Sequence, residues 1–280
     1  MPSKVAIAGS VAALLLLMAT PAPRDRAHDL AKSASKVEPE TCGDVQTFED
    51  CHDNYPVGCS DSDNPRFDAY LNFLKNQMLS SDLQPVRSLS EHDFRKLDDS
   101  IPQSLTSRNH AAHANDLAEL GEGNIYSLMG FLYYAMATGP ETCNCKLSGS
   151  TNVDFHLGVG FDPDMAKKVA AGEHLDKSDL DQASVVVEMT PHYRGKFHPK
   201  WTIARLKQAV GKQVRVVGQL IIDNEHAVPS QDCGRSNADK NTCWRESAWE
   251  LHPVVQFYVC KSDSPCGPNS ANWQKLDDRL

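Results

Sequence analysis

The chain has 280 residues, 40% of them hydrophobic, and a formal net charge of −9. That charge disfavours nonspecific attraction to nucleic-acid backbones, which depends on clustered Lys and Arg displacing counterions. It leaves room for phosphate chemistry carried by a bound metal ion, and the length suffices for one large domain or two small ones.

The chain opens with Lys4, an apolar run from Val5 to Ala19 centred on Leu14 to Leu17, and then Thr20-Pro21-Ala22-Pro23. This is the order of a secretory signal with cleavage near Ala22, so residues 1–22 read as a signal peptide. The apolar run is short of the roughly 20 residues that a bilayer needs, and no later stretch is apolar for long enough. The expectation is an exported protein, periplasmic or extracellular, with no transmembrane span after cleavage.

Nine cysteines fit an oxidising compartment. Proximity pairs Cys233 with Cys243 and Cys260 with Cys266. Cys42, Cys51, Cys59, Cys143 and Cys145 remain, an odd set in which one is free or bonds another chain. Cys143-Asn144-Cys145 also resembles half of a thiolate metal pair. Zinc sites usually space cysteines by two to four residues and need a second half, so disulfides are the favoured reading.

Residues 23–120 read as a polar N-terminal region with short helices. Its first part, 23 to about 65, looks like a flexible lead tied down by Cys42, Cys51 and Cys59. Asp61, Asp63 and Asn64 hint at a calcium loop but lack the rest of its spacing, which favours a solvated turn. Phe67, Tyr70, Leu71, Phe73 and Leu74 have helical spacing just after Pro65. Residues 80–115 have no sustained period and read as short helices or loops against the main domain.

The pattern sharpens after Gly123. Strands are expected over 126–137, 154–160 and 184–189, the last ended by Pro191. A helix follows over 201–210 with Gly211 as its stop. Further strands cover 213–222 and 249–259, separated by a polar loop, 223–246, that holds the Cys233/Cys243 staple. The order β-β-β-α-β-β is that of a five-stranded OB-type barrel. The expected fold is therefore mainly β (α+β), with the barrel over 121–262 and a C-terminal tail over 263–280.

Several polar groups fall on these strands. Asp154 and His156 are two apart and point to one side of a strand, and Glu250 and His252 repeat the arrangement on the last strand. Glu188 ends an apolar run. His192, His198, Asp223 and His226 lie just beyond strand ends, where barrel loops converge. Such carboxylates and imidazoles suit a divalent ion, zinc or calcium, with Asp154, His156 and His252 as ligands. Glu188 and Glu250 are the candidate catalytic carboxylates, for metal-assisted hydrolysis of a phosphodiester. The competing reading of each residue is ordinary: a solvated strand face, or a buried imidazole bonded to a backbone carbonyl. No Gly-rich phosphate loop, nucleophile elbow or paired-His helix is present.

A non-enzymatic alternative is a module that binds a small molecule, oligosaccharide, peptide or envelope protein. There Tyr133, with Tyr126, Phe131 and Tyr134, would stack the ligand, and His192, Asp223 and His226 would rim it. A third reading is a scaffold whose polar groups only fix the barrel.

The chain resembles a family of uncharacterised exported bacterial proteins. The resemblance rests on Pro140 to Cys145, Asp154-Phe155-His156, Val186 to Pro191, Val216-Val217-Gly218 with Asp223 to His226, and Trp249 to Val254. It implies an OB-like barrel and supplies no activity. A looser likeness is to thermonuclease-type barrels, which place metal-binding acids on adjacent strands. It implies that role for Asp154 and Glu188, with no evident counterpart to that family's catalytic arginines.

Overall fold

The computed structural model describes residues 23–61 and 67–278. The expected signal peptide, together with Asp63 and Asn64 of the considered calcium loop, lies outside the described residues.

The N-terminal lead is helical where the sequence reading expects flexibility. Helix α1 (Pro23–Ser33) runs into a short 3₁₀ turn and buries Ala27, Leu30, Ala31 and Ala34. Those positions follow helical spacing, so four small apolar residues suffice for a docking stripe that the polar composition hides. Helix α2 (Phe48–Asn54) starts at a capping box between Thr47 and Asp50. Helix α3 (Ala69–Lys75) is capped by Asp68, and its Tyr70, Leu71 and Leu74 pack against the stripe of α1. A two-residue strand β1 (Ser88–Leu89), helix α4 (Glu91–Asp99) and helix α5 (Ala114–Leu120) complete the region.

Strand β2 (Ile125–Ala137) is the longest element. It is followed by β3 (Phe155–Gly160), helices α6 (Pro163–Ala170) and α7 (Lys177–Gln182), and β4 (Ser184–Met189). Next come helices α8 (Pro191–Phe197) and α9 (Ile203–Lys207), then β5 (Gln213–Ile222), β6 (Trp249–Cys260) and β7 (Trp273–Lys275). The architecture is mixed α+β around one seven-stranded sheet. Within it β2 pairs β3, β3 pairs β4, β4 pairs β6, β6 pairs β5, and β5 returns to β2, so five strands close a ring. Only the β4–β6 contact of that ring is parallel.

Strand β2 closes the ring by serving two neighbours in succession. Ile125 to Phe131 pair with β5, and Phe131 to Ala137 pair with β3 across a register shift near Leu132 and Tyr134. Gly130 and Gly160 permit the close approach at this corner, because a Cβ on Gly130 would stand 2.5 Å from the Gly160 carbonyl oxygen. Leu128, Leu132, Leu157, Val187, Val216, Leu251 and Phe257 fill the interior, with Trp201 and Leu206 packed against them.

Three expectations need correction. The gap between β4 and β5 holds two helices, because Pro191 ends the strand by opening α8 at its first turn, where proline's fixed φ and missing N–H are tolerated. The helix expected over 201–210 shrinks to α9. Two unexpected helices fill the β3–β4 connection, and the tail is anchored by β7 on the edge of β6.

Four disulfides staple the chain: Cys42–Cys59, Cys51–Cys145, Cys233–Cys243 and Cys260–Cys266. Cys51–Cys145 ties the N-terminal region to the segment after β2, and Cys143 is left as a buried thiol. Replacing both Cys233 and Cys243 by serine is expected to cost about 2–3 kcal/mol, the loop-closure entropy of so short a ring. A lowered urea midpoint at nearly unchanged slope would register it; an unchanged midpoint would contradict it.

Candidate functional site

The ring's register builds a polar cluster on its outer face, because His156, Glu188, Glu250 and His252 alternate with the interior residues Leu157, Val187 and Leu251. His156 of β3 stands directly opposite Glu188 of β4. Val187 pairs with Leu251 in the parallel contact, which sets Glu188 and His252 one step further along their strands. Glu250 and His252, two apart on β6, share a face. Asp154 lies just before β3 and enters from the strand end. The five residues therefore meet.

The distances are those of direct interaction. His156 Nε2 is 2.6 Å from Glu188 Oε1, and His252 Nδ1 is 3.3 Å from both Glu188 Oε2 and Glu250 Oε1. His252 Nε2 is 2.9 Å from Thr190 Oγ1 and 3.9 Å from Asp154 Oδ1. Asp154, Glu188, Glu250 and His252 are buried. Asp154 Oδ1 and Glu188 Oε2 have no hydrogen-bond partner.

Residues the sequence reading did not select complete the cluster. Glu141, from the segment after β2, places Oε1 3.8 Å from His156 Nε2, and Lys75 of α3 reaches Glu141 Oε2 at 3.4 Å. Glu141 and His156 keep 27% and 32% of their side chains exposed, which makes them the solvent-facing side of the cluster. Asn144 Nδ2 donates to Asp154 Oδ2 at 2.9 Å, and the Cys143 thiol lies 3.5 Å from the same oxygen. Arg245, at the end of the stapled loop, joins Glu250 Oε2 at 3.1 Å and Asp223 Oδ2 at 3.4 Å. Glu141 and Cys143 sit inside the Pro140 to Cys145 segment that the sequence reading singled out; Lys75 and Arg245 had no comparable signal.

Electrostatics follow from burying five carboxylates beside two fixed cations and two imidazoles. Burial raises the Asp154 and Glu188 carboxyls, reinforced by Glu141 for Asp154 and by Glu250 for Glu188, and the histidines and Lys75 only partly offset this. Burial also works to raise Glu250, but the His252 hydrogen bond, Lys75 and Arg245 outweigh it and hold it well below the usual carboxylate range. Burial would lower His156, yet Glu188 and Glu141 lift it to about 9. His252 is raised in the same way by Glu188, Glu250 and Asp154.

The remaining sequence-selected residues fall elsewhere or at the edge. Tyr133 is buried, and its hydroxyl bonds the Asp162 backbone, so its ring does not join the cluster. His192 stacks on His52 with ring centroids 3.8 Å apart, away from the cluster. His198 bonds Asp277 and the Val255 carbonyl. Asp223 adjoins the cluster through Arg245, and His226 sits behind it, with Nε2 3.6 Å from Asp223 Oδ2. Glu250 is enclosed between Arg245 and His252, so it orients His252 and does not face a solvent-side base position.

Two surface clefts of about 910 and 480 Å³ are lined by other residues, among them Lys167, Lys212 and Lys261 in the larger and Phe73 and Asn76 in the smaller. Within the cluster, Glu141 and His156 are the side chains that keep contact with solvent. Among the described residues no helix is long and apolar enough to cross a membrane. No family model, curated protein or solved structure matches the chain.

Proposed function

We propose that the five-stranded ring is an OB-type barrel of an exported protein, and that its polar cluster holds one divalent metal ion. The observation that carries this is the trio Asp154, Glu188 and His252, whose donor atoms lie within 4.8 Å of one another in a buried setting. Asp154 Oδ1 and Glu188 Oε2 accept no hydrogen bond and stand 3.9 and 3.3 Å from the His252 ring nitrogens, and a buried carboxylate oxygen so placed is costly unless a cation or proton meets it. The strand pairings around the ring support the barrel, and the four disulfides support export.

The reaction class that this arrangement suits is metal-assisted hydrolysis of a phosphodiester. An ion at this position supplies a bound water of lowered pKa and polarises a phosphoryl oxygen. Glu141 replaces Glu250 as the candidate general base, because it alone of the cluster's carboxylates keeps appreciable exposure. Lys75 and Arg245 balance part of the acid charge from behind.

Purified protein is expected to carry one ion per chain. Asp154→Ala and His252→Ala should each weaken metal binding by about 100-fold or more. Hydrolysis of bis(4-nitrophenyl) phosphate should disappear in both variants and on chelation. Folded wild-type protein without stoichiometric metal would sink the metal reading. Metal binding without hydrolysis would retain the site and remove the reaction.

A further inference from the structure

The ion's identity is written in a second group of donors that shares Asp154. Glu141, Cys143 and Asp154 also bring ligand atoms within 4.8 Å of one another, and this group adjoins the Asp154–Glu188–His252 trio. Resting on the metal reading above, we propose that the Cys143 thiolate is a ligand of the ion, which makes the site one for zinc or a similar thiophilic transition ion and not for calcium.

The edge length is the first argument. Cys143 Sγ lies 3.5 Å from Asp154 Oδ2. Zinc bonds of about 2.3 Å to sulfur and 2.0–2.2 Å to oxygen, at a tetrahedral angle, put those two ligands roughly 3.5 Å apart.

Donor chemistry and placement agree with this. Calcium and magnesium take oxygen ligands almost exclusively, whereas a sulfur, imidazoles and carboxylates together select zinc-like ions. Cys143 is the cysteine left out of the four disulfides, and it is buried, with its thiol turned to the carboxylates. Its neighbour Cys145 is bonded to Cys51, and Asn76 Nδ2 donates to the Cys143 carbonyl at 2.8 Å, so the backbone on this stretch is pinned. Asn144, between the two cysteines, orients Asp154 through its Oδ2 and leaves Oδ1 open.

Cobalt reports the outcome directly. The disulfide-intact full chain, stripped with chelator, is titrated with Co²⁺ and then with Zn²⁺ and Ca²⁺ as competitors. The expected result is one bound cobalt with a near-ultraviolet thiolate-to-cobalt charge-transfer band, displaced by zinc and untouched by calcium. Cys143→Ser should lose the band and bind zinc about 10–100-fold more weakly. X-ray absorption at the zinc edge of unsubstituted protein should show a sulfur at about 2.3 Å, a readout independent of whether the variant folds. Cobalt bound with no charge-transfer band, or zinc without sulfur, overturns the thiolate ligand and leaves the metal site standing. No bound ion of any kind overturns both.

Discussion

Arg245→Met should destabilise the protein by about 3–5 kcal/mol, the cost of stripping a buried ion pair of one partner. The guanidinium is almost wholly buried and spans two carboxylates, with Nη1 on Asp223 and Nη2 on Glu250. Methionine fills similar space but leaves Asp223 with His226 and the Glu225 backbone N–H, and Glu250 with His252 and the field of Lys75. Arg245→Lys is expected to fall between, because one ammonium cannot occupy both positions of the fork. Glu250 is held below its ordinary 4.5 in the folded state. Its contribution is therefore present above that pH and is lost as the pH falls through the depressed value. The measurement is urea unfolding at neutral pH for all three proteins. A loss below about 1 kcal/mol in both variants would show that the pair contributes little.

Arg245 also shows where sequence reading stops. The cluster's strand residues were legible because period-two alternation predicts shared faces: Asp154 with His156, and Glu250 with His252. Glu188 was legible as an acid closing a β-branched run. What spacing cannot supply is the register that puts Glu188 beside His156 and one step from Leu251's row, since that pairing joins β3, β4 and β6 across long connections. The cations and Glu141 were hidden for the same reason. Lys75 belongs to a helix about a hundred residues before β4, and Arg245 ends a polar loop that reads as solvent-exposed. The five ring strands, by contrast, were legible as elements, because β4 and β5 carry β-branched runs and β2, β3 and β6 are rich in aromatic and aliphatic residues. The helices around them were not: α1, α6 and α7 are short and polar, α1 docks through Ala27, Leu30 and Ala31, α6 buries only Ala166, and α7 buries no residue.

His110 should set a pH dependence of the opposite sign. It is fully buried, with Nε2 2.9 Å from both oxygens of Glu122 and Nδ1 3.1 Å from Asn224 Oδ1. Asn224 donates its amide nitrogen to Asp68 Oδ2 and to the Thr106 carbonyl, so its oxygen must face the ring. Both ring nitrogens then donate, which requires the imidazolium. Tyr70 packs edge-on at 5.3 Å, and Asp68 also accepts the His110 backbone N–H. Burial would lower the His110 pKa, but the Glu122 charge and hydrogen bond, Asp68 and Asn224 raise it above 6.5. A raised folded-state value contributes stability that is complete below 6.5 and is lost as pH rises through the folded value. His110→Gln is expected to cost about 3–5 kcal/mol at pH 6, leaving Glu122 buried with the Ile222 N–H as its remaining donor. The gap to wild type should then narrow with rising pH. His156 and His252 give both proteins a common slope, so the informative quantity is the difference between their urea-unfolding free energies across pH 6 to 9. A difference that stays flat over that range would mean that His110 is neutral in the folded chain.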